Sequence, residues 1–134
     1  MVPARHHRRF SPAATGARTS TSLTSALYTT SKLAIARWVR RTAPTSPWAG
    51  PGVALNAIAP GVIETPMTRS TLESEEDRKA LFARGPAPFN GPTAKPSATA
   101  ALLDWLTSTD NSYVTGQVIF IDGGAESTLR PDLV

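Results

Sequence analysis

The chain contains no cysteine, which excludes a disulfide framework and any thiolate metal site within its 134 residues. Histidine is almost as scarce. The two present, His6 and His7, stand side by side in a basic stretch, so metal catalysis is not expected and no residue is assigned as a metal ligand. Acids are missing from the first 63 positions, which hold eight Lys or Arg; the remainder holds six bases and all ten acids, so a formal charge of +4 conceals a basic front and an acidic rear. No run of about 18 apolar residues occurs, and no segment is expected to span a bilayer. Without cysteines or a spanning segment, the expected setting is cytoplasmic.

At 40% hydrophobic, the chain can form one modest domain, which at this size would bury roughly 70% of its unfolded surface. The opening "MVPARHHRRFSPAATGARTSTSLTS" is rich in Arg, Ser, Thr and Ala and shows no sustained period of 3.6 or 2. Residues 1–25 are therefore expected to be a disordered or irregular basic segment. Its composition also suits a transit peptide. A nucleic-acid arm is not expected, because no aromatic interleaving or recognised motif accompanies the arginines.

From Ala26 to about Thr42 the apolar residues Leu33, Ile35, Ala36, Trp38 and Val39 predict a helix that Pro44 and Pro47 stop. Val53 to Ala59, "VALNAIA", reads as a strand buried on both faces and closed by Pro60 and Gly61. Asn56 within it reads as a structural hydrogen-bonder. The charged stretch from Thr68 to Arg84 predicts one solvated helix, and Ala98, Ala101, Leu102, Trp105 and Leu106 predict an amphipathic helix opened by Pro96. Val118 to Ile121 predicts a second buried strand ending in a turn at Asp122, Gly123 and Gly124. Helices alternating with strands imply an α/β fold with a parallel sheet, of which two strands alone are a small part.

Three stretches taken in order carry a resemblance: "YTTSK" at Tyr28 to Lys32, "NAIAPGVIETPM" at Asn56 to Met67, and "SYVTGQVIFIDGG" at Ser112 to Gly124. Together they resemble the C-terminal half of short-chain dehydrogenases/reductases. The features after Lys32, including Arg40, Arg41 and "DGGAESTLRP", look most like the branch containing bacterial 3-alpha-hydroxysteroid dehydrogenase/carbonyl reductase. The resemblance implies a Rossmann-like, doubly wound parallel sheet of which residues 26–134 are the C-terminal part, with the N-terminal nucleotide-binding half absent.

The implied activity interconverts an alcohol and a carbonyl, on hydroxysteroids or other hydrophobic carbonyls, with NAD or NADP. Hydride transfer to a carbonyl carbon must be matched by a proton delivered to its oxygen. A phenol can serve, but its ordinary pKa near ~10 calls for a cation beside it. By resemblance Tyr28 is the acid/base, and Lys32 assists it and reaches the nicotinamide ribose. Pro60, Gly61, the Ile63 backbone and the Thr65 hydroxyl lie against the nicotinamide, and the charged stretch from Thr68 forms a substrate lid. The glycine-rich phosphate turn of a dinucleotide fold is not found: "ATGARTS" at Ala14 to Ser20 has no strand before it. A carbonyl-holding serine or threonine about 13 residues before the tyrosine would fall on Thr15, which is left unassigned for the same reason. The chain is thus expected to be a truncated member of doubtful activity alone. The alternative is a non-catalytic subunit docking on a full-length relative through Leu33, Ile35, Trp38 and Val39. Expected partners are a small carbonyl or alcohol substrate and a second copy or a relative, with neither nucleic acid nor membrane.

Overall fold

The computed structural model describes residues 15–132, with side chains from Leu23 onward. Two compact units divide the chain between Ile35 and Ala36, and helix α1 (Thr15–Thr42) runs through that division. Residues 15–25, expected to be irregular, belong to this helix; residues 1–14, with His6 and His7, lie outside the described residues. The difference has a cooperative cause. Once the Ala26 to Thr42 stretch is helical, each preceding residue adds one hydrogen bond for one residue ordered, and an apolar period is not required. Leu23 and Leu27 on this first part are 62% and 64% exposed.

α1 ends where the sequence indicates, just before Pro44, with Arg40 and Arg41 near its carbonyl end. Val39 and Ala43, 2% and 0% exposed, are the buried apolar residues among those described. Val39 is therefore packed inside the second unit. The short helix α2 (Ser46–Ala49), which the sequence reading passed over, has Pro47 in its first turn. It sets Trp48 edge-on to Trp38 with ring centroids 6.4 Å apart.

β1 (Ala57–Pro60) and β2 (Val118–Ile121) pair in parallel with Ala57 opposite Val118 and Pro60 opposite Ile121. The first strand was expected to begin at Val53. It begins later because the chain opposite Leu55 turns at Gly116 (φ 74°). Leu55 is held there by the Thr115 hydroxyl (3.0 Å) and by the Gly116 N–H (2.8 Å) instead of by a ladder. Asn56 does act as a structural hydrogen-bonder: its Nδ2 donates to the Val114 carbonyl (2.8 Å) and its Oδ1 accepts from the Gln117 N–H (3.0 Å).

The expectation of strands buried on both faces is not met. The strand residues are half-buried at most, and Phe120 is 48% exposed. Among the described residues the sheet has these two strands alone, each paired along one edge.

The chain between the strands contains α3 (Pro66–Glu73), α4 (Glu75–Arg84) and α5 (Pro96–Thr107). Where one helix was expected from Thr68 to Arg84 there are two, broken at Ser74, which is extended (φ −78°, ψ 122°). Ser74 caps α4 by accepting the Asp77 N–H (3.3 Å), and Glu75, Glu76 and Asp77 occupy the first turn. α5 begins at Pro96 as expected; of its apolar face Leu102 and Leu106 are half-buried, whereas Trp105 is 40% exposed. After β2 the chain turns through Gly123 (φ 65°) and Gly124 (φ 87°) into α6 (Ala125–Leu129). No helix of the described residues is long and apolar enough to cross a membrane.

Candidate active site

Tyr28 and Lys32 belong to the first unit and stand one helical turn apart on α1. The Lys32 ammonium lies over the phenol ring, 5.3 Å from its centroid, within cation–π range. The ring is 65% exposed, and the Tyr28 carbonyl accepts the Ser31 hydroxyl (2.7 Å). The structure thus brings the pair together on one helix face. Thr15 begins α1 and is not on a strand.

In the second unit Pro60 ends β1, and Gly61, Ile63 and Thr65 follow it in one loop beyond the carboxyl ends of the parallel strands, where open α/β sheets bind ligands. Gly61 donates its N–H to the Ile121 carbonyl (3.0 Å). Its nearest neighbour is protein: a Cβ at this position would stand 2.8 Å from Asp122 Cα. Glycine here permits the ends of β1 and β2 to approach each other.

Ile63 then forms a parallel bridge with Ala94. The bridge uses the Val62 carbonyl, which accepts the Ala94 N–H (3.0 Å), and the Glu64 N–H, which donates to the Ala94 carbonyl (2.9 Å). In a parallel pair this pattern turns the N–H and carbonyl of the middle residue to the opposite side. The Ile63 carbonyl accepts the Thr68 hydroxyl there (2.7 Å), and the Ile63 N–H faces the side away from Ala94.

Thr68 holds the loop in shape. Its hydroxyl also accepts the Thr65 N–H (3.0 Å) and lies 3.3 Å from the Thr65 hydroxyl, while Pro66 opens α3. Across the loop the Thr93 hydroxyl donates to Glu64 Oε1 (2.7 Å). Beside the loop lies a cleft of about 510 Å³, lined among others by Gly61 to Glu64, by the segment from Phe89 to Lys95, and by Asp122 and Gly123. Asp122 Oδ1 and Oδ2 accept the N–H groups of Gly124 (3.0 Å) and Glu126 (2.7 Å), which fixes the turn that forms the third wall. Glu126 is in turn paired with Arg130.

Sequence reasoning missed Thr68, Glu64 and Thr93. Thr65 and Thr68, three apart around Pro66, were a legible helix-start signal; the Glu64 to Thr93 contact joins positions 29 apart and left none.

The fold is part of a Rossmann-like α/β domain with a parallel sheet. A family profile described as enoyl-(acyl carrier protein) reductase matches residues 13–126, and the chain belongs to the short-chain dehydrogenase/reductase family. It is 38% identical over 104 residues to the 3-alpha-hydroxysteroid dehydrogenase/carbonyl reductase of Comamonas testosteroni, a match covering 78% of this chain and 39% of that protein. Among solved structures it resembles the 3-alpha-hydroxysteroid dehydrogenase from Pseudomonas sp. B-0831 complexed with NADH (TM-score 0.62, 29% identity, 75% of this chain and 38% of that one). It also resembles ElxO with NADP bound (TM-score 0.64, 29% identity, 77% and 40%). The chain spans 24% to 39% of the length of the curated relatives it matches.

Proposed function

We propose that residues 26–134 are part of an enzyme that interconverts an alcohol and a carbonyl with NAD or NADP, hydroxysteroids and similar hydrophobic carbonyls being the substrates the resemblance favours. The observation that carries this reading is the Ile63 bridge. It leaves the Ile63 N–H facing away from Ala94 in the loop that also carries the Thr65 hydroxyl, one donor and one donor/acceptor, past the carboxyl end of a parallel strand. A carboxamide needs that combination.

When bound, NAD(P)H supplies the hydride, or NAD(P)⁺ takes it up. Tyr28 gives its hydroxyl proton to the carbonyl oxygen in reduction and removes it in oxidation. Lys32 balances the negative charge that develops on the ring when that proton leaves, and its ammonium reaches the nicotinamide ribose. The Ile63 N–H and Thr65 hydroxyl hold the carboxamide, with Pro60 and Gly61 setting the path of the loop. The absence of cysteine suits a cytoplasmic setting, and a second copy or a longer relative is the expected partner.

A second reading is a non-catalytic subunit that docks on a longer relative. Leu33, Ile35 and Trp38, 47%, 51% and 52% exposed, favour it; Val39 is taken up by the fold and drops out of that surface.

Calorimetric titration with NADH and NADPH tests the first reading. Saturable binding that Thr65→Val weakens is the expected result. No binding up to about 1 mM, a free energy weaker than roughly −4 kcal/mol, overturns it, and co-purification with a longer relative would then support the second. If turnover is found, Tyr28→Phe should lower kcat by about 100-fold or more while leaving cofactor affinity unchanged.

A further inference from the structure

We infer that the cleft between α3 and α4 recognises an oxyanion, so that the substrate is a carbonyl compound or alcohol bearing a carboxylate or phosphate at the end remote from its reacting carbon. The inference rests on the catalytic reading above and narrows its substrate class.

This second cleft, of about 680 Å³, has Thr65 in its wall, which connects it to the proposed nicotinamide position. Leu72 from α3 and Phe82 from α4 give it an apolar lining suited to a hydrocarbon body. Arg69 from α3 and Arg78 from α4 line it as well. Elsewhere on the surface, cations with an acid one helical turn away are paired: Lys79 with Glu75 at 2.7 Å, and Arg130 with Glu126.

Arg69 also has an acid one turn away, Glu73, and Glu73 lines the same cleft, yet among the described residues neither Arg69 nor Arg78 forms an ion pair. The other acid in the wall, Glu64, has Oε1 engaged by the Thr93 hydroxyl. Each guanidinium therefore keeps its planar set of five N–H donors, the geometry that matches carboxylate and phosphate oxygens in pairs. A neutral, wholly apolar substrate would be served by the lining residues alone and would gain nothing from two unpaired cations facing it.

Three probes test the inference on the full chain by calorimetry: 3-phenylpropanoate, 2-phenylethyl phosphate and the neutral 3-phenylpropanamide. At least one anion should bind about tenfold tighter than the amide, as hydrogen bonds to charged groups require, and the tighter of the two identifies the oxyanion. Arg69→Gln with Arg78→Gln should remove that preference, while Glu73→Gln, which removes the competing carboxylate, should raise anion affinity. Equal binding of amide and anions, no binding of either anion, or a preference that survives in the double variant overturns the inference. Titrating the same samples with NADH and NADPH separates the two readings. Cofactor binding without anion preference overturns the substrate class alone. Anion preference without cofactor binding overturns the catalytic reading, and with it the substrate role of the cleft.

Discussion

Replacing Gly61 by alanine tests whether the two strand ends need their close approach. The added Cβ would stand 2.8 Å from Asp122 Cα, 3.1 Å from its Cβ and 3.2 Å from its carbonyl oxygen. Ordinary contact between such atoms needs roughly 3.5 Å or more, so the strand ends must part by about half an ångström to one ångström. The Gly61 N–H bond to the Ile121 carbonyl, now 3.0 Å, closes the end of the ladder and would lengthen past useful range. Overpacking of this kind costs about 1–3 kcal/mol, with about 1 kcal/mol of that from the bond.

Urea unfolding followed by circular dichroism reads the change as a lower midpoint at constant slope. Gly85 provides the control: nothing lies within 4 Å of its Cβ position and its φ is −143°. Gly85→Ala should shift stability by less than about 0.5 kcal/mol. If Gly61→Ala moves the midpoint no more than Gly85→Ala does, the argument from close approach is refuted.

Three further outcomes follow from the hydrogen bonds. Asn56→Ala removes two bonds that tie the start of β1 to the chain before β2 and should cost about 2 kcal/mol in the same urea assay; a loss under about 0.5 kcal/mol would mean that solvent replaces both. Asp122→Ala deprives the Gly124 and Glu126 amides of their acceptor and should cost about 1–2 kcal/mol, with faster hydrogen exchange at Glu126 and Thr128; unchanged exchange would contradict a capping role. Thr68→Val releases the Ile63 carbonyl and the Thr65 N–H and should weaken cofactor binding about tenfold with less than about 1 kcal/mol lost in stability; equal affinity in variant and wild type would remove Thr68 from the site.

The sequence marked its elements best where a covalent constraint does the work. Pro96 opens α5, Pro44 ends α1, and Val118 to Ile121 is a strand between turn residues, all as the chain itself indicates. It marked them less well where a distant partner decides. β1 starts at Ala57 because of what Thr115 and Gly116 do some 60 residues later, and no local period carries that information. The break at Ser74 was a legible signal passed over, a serine followed by three acids at a helix start. The motif residues Tyr28, Lys32, Pro60, Gly61, Ile63 and Thr65 were readable as types and spacings. The contacts that shape their loop, from Thr68 and Thr93, depend on side-chain geometry and had to be seen.

The single hydroxyl of Thr68 has a mechanical consequence. Because it joins the first turn of α3 to both Ile63 and Thr65, α3 is tied directly to the proposed carboxamide-holding loop. α4 shares none of those bonds and brings Arg78 and Phe82 to the arginine-lined cleft from beyond extended Ser74. The two walls of that cleft are therefore anchored differently, on helices separated by one residue.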